Sequence, residues 1–251
     1  MSRFQRVYRH MQAGSVACEN RTRTGAPTDR SSSVGWRRGA ALLLAALSPA
    51  CILSQQKPPG AHEMAARVDR HYDQLHSLKA AFTESYAGMG VVRTESGELL
   101  LSKPGKMRWD YSSPPGKVFL LDGKYAWFYT PGDAQVQRIP AKELDDLRSP
   151  LRFLLGRTNL EKEMNGLSLA PGPNGAFLLS GVPKGQENRV TKLSLTVTAA
   201  GVITGIDVEE VDGATTKFTF GGEQPNAPIA AKTFQFTPPP RVQVVDAPPP
   251  V

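Results

Sequence analysis

From Met107 to Tyr111 the chain alternates. Met107, Trp109 and Tyr111 fall on one parity, Arg108 and Asp110 on the other. A period of two marks a strand with one buried face. Ser112 to Gly116 interrupts the pattern with two prolines and a glycine, and Val118 to Leu121 is a four-residue apolar run. Asp122-Gly123 signals a hairpin, because tight primed turns need a positive φ that Gly accepts freely. Tyr125 to Tyr129 is a return strand made almost wholly of aromatic residues. Lys103 to Tyr129 therefore predicts three antiparallel strands with a shared apolar face.

The flanking sequence extends this picture. Between Ala61 and about Leu78, Met64, Val68, His71/Tyr72, Leu75 and Leu78 recur at helical spacing and predict one amphipathic helix. Ala80 to Ala87 and Val91 to Ser102 read as strands around a turn at Gly88 to Gly90, and Gln135 to Ile139 as another strand. Ala141 to Leu147 is acidic and helix-like. Ser149-Pro150 then opens the run Leu151 to Leu155, with Ser as a cap and Pro at a first-turn position. A helix this short must pack on something to persist. Further strands are expected over Ala176–Gly181, Lys192–Thr198, Ile203–Val211, Thr216–Phe220 and Lys232–Phe236, with a short edge at Val242 to Val245. The Pro-rich tail 246–251 is expected to be disordered. The result is a mainly β fold with one apolar sheet face, and two covers for that face remain open: the protein's own helix, or a lipid.

Charge is unevenly distributed. The chain has a net charge of +7, and residues 1–60, with nine Lys/Arg and two Asp/Glu, carry all of it; the other 191 residues hold 21 of each sign. The folded part thus has no polyanion signature, and nucleic acid is not expected as a partner. Arg37-Arg38 ahead of the apolar Ala40–Leu47 and the small residues Ser48 and Ala50 read as a signal segment, 1–50, too short to span a bilayer. A linker, 51–60, follows, and one domain over 61–245. Cys51 would be the first residue of the exported product. A soluble product and a lipid-modified Cys51 both remain open, although the lipidation pattern has Leu47 one position early. No cysteine lies beyond Cys51, so no disulfide framework is expected.

Catalytic signals are sparse. His62, His71 and His76 crowd onto the predicted helix at spacings of nine and five, about 180° and 140° apart at ~100° per residue, so the three do not gather on one face. No histidine lies past residue 76, and there is no Gly-rich phosphate loop or paired-cysteine motif. No enzyme activity, metal or cofactor is expected.

Five places, in order, resemble the outer-membrane lipoprotein carrier protein family (LolA), over about Ala65 to Val245. They are Ala80-Ala81-Phe82-Thr83; Gly97-Glu98-Leu99 with Lys103-Pro104 leading into Met107–Tyr111; Asp122-Gly123-Lys124 with Trp127-Phe128-Tyr129 and Gln135-Val136; Ser149-Pro150 with Phe153-Leu154-Leu155; and Phe234-Gln235-Phe236-Thr237-Pro238-Pro239. The resemblance implies an incomplete, half-open antiparallel β-barrel covered by a long N-terminal helix and short lid helices. It implies a monomeric periplasmic chaperone whose apolar cavity holds lipoprotein acyl chains. The cargo passes from an inner-membrane lipoprotein-releasing ABC transporter complex to an outer-membrane receptor. Trp109, Phe119, Trp127, Phe128, Phe153, Leu154, Leu155, Phe218 and Phe220 are the expected lining. Burial of acyl chains gains about 0.8 kcal/mol per CH₂. The family commonly has an arginine before the proline matched to Pro104, where it latches the lid; this chain has Lys103, which lacks the planar guanidinium fork. Other readings are a membrane-tethered receptor of the same fold acylated at Cys51, a lipid-sensing domain, and a hydrolase using the helix histidines.

Overall fold

The computed structural model describes residues 59–142 and 159–246. The leader, Cys51, most of the segment Ala141 to Leu147, the Ser149–Gly156 segment with Phe153, Leu154 and Leu155, and the tail beyond Asp246 lie outside these residues.

Helix α1 spans Ala61–Asp73. Its stripe Met64, Ala65, Val68 and Tyr72 is buried, as the spacing requires. It stops five residues before the predicted end at Leu78. The Gln74 amide still donates to the Arg70 carbonyl at 3.4 Å and the Leu75 amide to that of Tyr72 at 3.2 Å. Beyond them the Lys103 ammonium takes the Tyr72 carbonyl, and that of Asp73 at 3.4 Å. A cation on the last carbonyls satisfies groups that another helical turn would have used. Leu75 and Leu78 are buried all the same, Leu78 as part of the first strand.

Among the described residues twelve strands follow: β1 (Ser77–Gly88), β2 (Val91–Ser102), β3 (Lys106–Ser113), β4 (Pro115–Leu121), β5 (Tyr125–Tyr129), β6 (Gln135–Pro140), β7 (Met164–Pro171), β8 (Phe177–Pro183), β9 (Val190–Val197), β10 (Ile203–Glu210), β11 (Thr215–Pro225) and β12 (Gln243–Asp246). They form one sheet in the order β12-β6-β5-β4-β3-β2-β1-β11-β10-β9-β8-β7. Two meanders, β1–β6 and β7–β11, join where β1 pairs antiparallel with β11, Phe82 opposite Phe220. The sheet is an open half-barrel: β7 and β12 end it and do not pair with each other. A single-turn helix, α2 (Leu160–Glu163), precedes β7. Its Leu160 amide donates to the Asp69 carboxylate of α1, at 3.1 Å to the nearer oxygen.

Strand parity decides the core. Leu99 and Leu101, Met107, Trp109 and Tyr111, Leu195 and Val197, and Phe218 and Phe220 all point to the face that carries α1, and all are buried. This is the inner face. At the β9–β10 turn Gly201 lies against the α1 backbone.

Two expectations need correction. Lys232–Phe236 is not a strand; Ala231–Phe234 forms a 3₁₀ turn. This segment is a strap across the outer face. The Asn226 amide donates to the Ser77 carbonyl at 2.8 Å, and the Arg108 guanidinium to the Thr233 carbonyl at 3.0 Å. Having crossed the sheet, the chain meets β6 from the far side, so β12 pairs parallel with it, the one parallel pair among the described strands. The turn after β4 also differs from the primed form. Only Gly123 of the pair has a positive φ; Asp122 acts through its carboxylate, which accepts from the Lys124 and Tyr125 amides at 2.7 Å each.

Candidate functional site

The expected lining residues separate into three groups. Trp109, Phe218 and Phe220 are buried, with 1 %, 3 % and 8 % exposure. With Phe82 they form an aromatic cluster: the Trp109 ring centroid lies 4.6 Å from Phe82, 5.6 Å from Phe218 and 6.1 Å from Phe220. Phe82 faces Gly97 across the strand pair, so its ring packs where no side chain competes. Phe119 and Phe128 form the second group. Register places Trp109, Phe119 and Phe128 in one row across β3, β4 and β5, and opposed residues share a face. Both phenylalanines are half-buried, with ring centroids 4.8 Å apart. Leu121, on the same face of β4, is also half-covered and packs on the core. The apolar side chains of this face are therefore closed over from Leu78 to Phe82 on β1, at Leu99 and Leu101 on β2, on β3 and at Phe218 and Phe220 on β11, and half-covered at Phe119, Leu121 and Phe128 on β4 and β5.

Trp127 is the third group, and it lies on the other face. It is paired with Leu120, which pairs in turn with Arg108. There it stacks on Phe236 of the strap at 5.4 Å, beside a small second core of Leu100, Leu120 and Phe234. Its indole N–H donates to the Asp122 carboxylate at 2.7 Å. Desolvation opposes ionisation of Asp122, but hydrogen bonds from the Tyr125 amide, the Trp127 indole and the Lys124 amide outweigh it and hold the carboxyl below its ordinary range. Trp109 and Trp127 thus stand on opposite sides of the sheet.

Lys103 sits at the C-terminal end of α1 on the Tyr72 and Asp73 carbonyls. Phe153, Leu154, Leu155 and Cys51 lie outside the described residues. The helix histidines are not gathered. His71 contacts Glu223 at 2.7 Å, His62 contacts Glu161 at 3.1 Å in an exposed position, and His76 lies beyond the end of α1. Tyr72 completes the α1 seam, accepting from the Ile203 amide at 3.1 Å and donating to Glu223 at 3.4 Å.

One group of side chains was not foreseen. Glu84, Glu95 and Lys117 are buried on the inner face, at 4 %, 3 % and 1 % exposure. The Lys117 ammonium donates to Glu95 and lies 4.3 Å from the centre of the Tyr111 ring. The Tyr111 hydroxyl donates to Glu84 at 3.0 Å, and Arg93 stands 3.6 Å from Glu95. Burial pushes Glu84 up, with Lys117 opposing; burial pushes Lys117 down, with Glu95 opposing. The sequence carried a signal. Glu84 has the parity of Phe82 and Glu95 that of Leu99, so both carboxylates fall on the apolar side.

Residues 73–237, from the last residue of α1 to the strap, match the family model described as outer membrane lipoprotein carrier protein LolA. The chain belongs to the LolA family. Among curated relatives it is 32 % identical over 176 residues to the outer-membrane lipoprotein carrier protein of Edwardsiella ictaluri, covering 69 % of this chain and 83 % of that protein. The Cupriavidus taiwanensis protein of the same name is 29 % identical over 211 residues, covering 79 % of this chain and 94 % of that protein. A LolA superfamily protein of known structure from Nitrosomonas europaea has 13 % identity and a TM-score of 0.40, over 71 % of this chain and 99 % of that one.

Proposed function

We propose that this protein is a periplasmic carrier that holds the acyl chains of lipoproteins against the inner face of its half-barrel. It takes them from an inner-membrane lipoprotein-releasing ABC complex and delivers them to an outer-membrane receptor. Membership of the LolA family supports the class of function, and relatives at about 30 % identity over most of their length are named as lipoprotein carriers. The observation that carries the reading is the uneven cover of one apolar face. Trp109, Phe218 and Phe220 are closed in, while Phe119, Phe128 and Leu121, on the same face, are half-covered. A hydrocarbon chain laid on β4 and β5 would finish their burial at about 25 cal/mol per Å² of apolar surface removed from water.

In this reading Phe153, Leu154 and Leu155 belong to the acyl-chain lining, and Lys103, which also caps α1, is the lid latch. Trp127 serves the outer face by seating the strap. No bond is made or broken in this function; the protein exchanges one apolar environment for another. Native mass spectrometry of protein taken from the periplasm tests it. Bound lipoprotein or lipid is the expected outcome. A clean ligand-free mass, with no uptake of an apolar dye, would refute carriage.

A further inference from the structure

The Trp109 indole nitrogen is buried and has no hydrogen-bond partner among the described residues. Buried tryptophan N–H groups usually find an acceptor, and an unsatisfied one costs stability and calls for an explanation. The sheet has the means to satisfy an indole. Trp127, one strand beyond the Trp109–Phe119 pair, donates to Asp122 at 2.7 Å. Around Trp109 the close rings are Phe82, Phe218 and Phe220, which offer only the weak acceptance of an aromatic face. The residue also stands at a boundary. On one side its row runs to Leu99, fully buried; on the other it runs to Phe119 and Phe128, both half-covered. Phe119, half-covered, is thus the direct cross-strand neighbour of the residue that carries this donor.

We propose that the Trp109 indole N–H is the polar anchor of the lipid site, donating a hydrogen bond to the carbonyl oxygen of an acyl ester when a chain is bound. The inference rests on the carrier reading given above and deepens it. An apolar groove alone holds any hydrocarbon; a single buried donor makes it prefer chains that carry a carbonyl and fixes how deep the carbonyl end sits. The unsatisfied indole is then a cost that binding removes, since cargo supplies an acceptor.

The test compares two probes, 1,2-dioleoylglycerol and its dioleyl ether counterpart, which differ in the two carbonyl groups. Affinity is measured by displacement of an apolar dye from the wild-type protein and from Trp109→Phe, which keeps an aromatic ring and removes the N–H. The expected result is about tenfold tighter binding of the ester by the wild type, the worth of one buried hydrogen bond, with the preference lost in Trp109→Phe. The indole N–H proton resonance of Trp109, followed in ¹⁵N-labelled protein, should shift downfield with the ester and hold still with the ether. A merely structural tryptophan would not make that distinction. Equal binding of both probes by the wild type, or an unmoved indole resonance, overturns the anchor and leaves carriage standing. Failure to bind either probe overturns the carrier reading itself. The wild-type comparison and the resonance need no variant, so poor folding of Trp109→Phe does not remove the test.

Discussion

Gly201→Ala should loosen the seam between α1 and the sheet. Gly201 lies in the β9–β10 turn, with a φ of +90°, and a Cβ placed there would sit 2.6 Å from the carbonyl carbon and oxygen of Arg67 and 2.9 Å from the Val68 nitrogen. Two costs follow. A side-chain-bearing residue at positive φ costs roughly 1–2 kcal/mol. The close contacts are with helix backbone, which cannot swing aside like a side-chain end, so α1 or the turn must shift, at roughly 1–3 kcal/mol for an overpacked position. The turn has little freedom to move. Its Gly201 amide donates to the Thr198 carbonyl at 2.9 Å, and the Arg67 guanidinium donates to the Ala199 carbonyl at 2.8 Å.

The sum is about 2–5 kcal/mol, or a fall in Tm on the order of 10 °C for a domain of this size, read by circular dichroism during heating. Gly213→Ala separates the two costs. Gly213 has a φ of +83° but nothing within 4 Å of its Cβ position, so it should lose only the backbone part. If Gly201→Ala melts no lower than Gly213→Ala, the close approach of α1 to the turn is wrong. The same variant should take up more apolar dye, since α1 covers the buried part of the inner face.

Lys117→Met should cost about 3–5 kcal/mol in urea unfolding at neutral pH, because it removes the buried cation that Glu95 and Glu84 share and leaves them only Arg93; the loss should shrink as pH falls and the carboxyls take up protons, and a neutral result would sink the ion-pair account. Asp69 is raised to about 6 by burial, opposed by the Leu160 amide and reinforced by the charges of Asp73, Glu163 and Glu161. The folded state therefore binds more protons than the unfolded one between about pH 4 and 6, and this group's effect on stability declines as pH rises through that window; Asp69→Asn should flatten that part of the melting profile, and an unchanged slope would count against it. Lys103→Ala should destabilise the protein by about 1–2 kcal/mol through loss of the charged cap on α1, and a change within ~0.3 kcal/mol in urea unfolding would show that the Tyr72 and Asp73 carbonyls do not depend on it.

Much of the sheet was legible. Val91–Ser102 and Tyr125–Tyr129 coincide with β2 and β5, and the face shared by Met107, Trp109 and Tyr111 is the buried one. Period-two patterning is local, so a single strand reveals its own two faces. Which face of one strand matches which face of the next is set by register, and a one-residue step reverses it. That is why Trp109 and Trp127 could be expected together and yet stand on opposite sides: Phe128, not Trp127, is opposed to Phe119. The strap failed for a related reason. Phe234 and Phe236 alternate as in a strand, but both are held by outer-face neighbours rather than by a sheet ladder. The Glu84–Lys117 group was missed because charged residues inside an apolar stripe read as solvated until the pairing is known.

The distribution of these interactions bears on how a carrier of this kind can bind tightly and still let go. The firm parts of the fold are the β1–β11 and β1–β2 ladders, the seam of α1 through Tyr72, His71 and Gly201, and the strap on the outer face with its Arg138–Asp246 pair at 2.7 Å and 2.9 Å. None of them rests on the half-covered inner-face side chains Phe119, Leu121 and Phe128 of β4 and β5. The buried charges on the inner face add a second limit. Along β4 the inner side runs Leu121, Phe119 and then Lys117, so on the proposed reading an acyl chain laid there would meet apolar contacts for about 13 Å, at ~3.3 Å per residue, before it reached charge. Hydrocarbon gains nothing by displacing the partners of Lys117 and Glu95, so a chain held as proposed would be confined to the apolar stretch. Release then requires uncovering one edge of the inner face, a local opening that leaves the ladders, the seam and the strap intact.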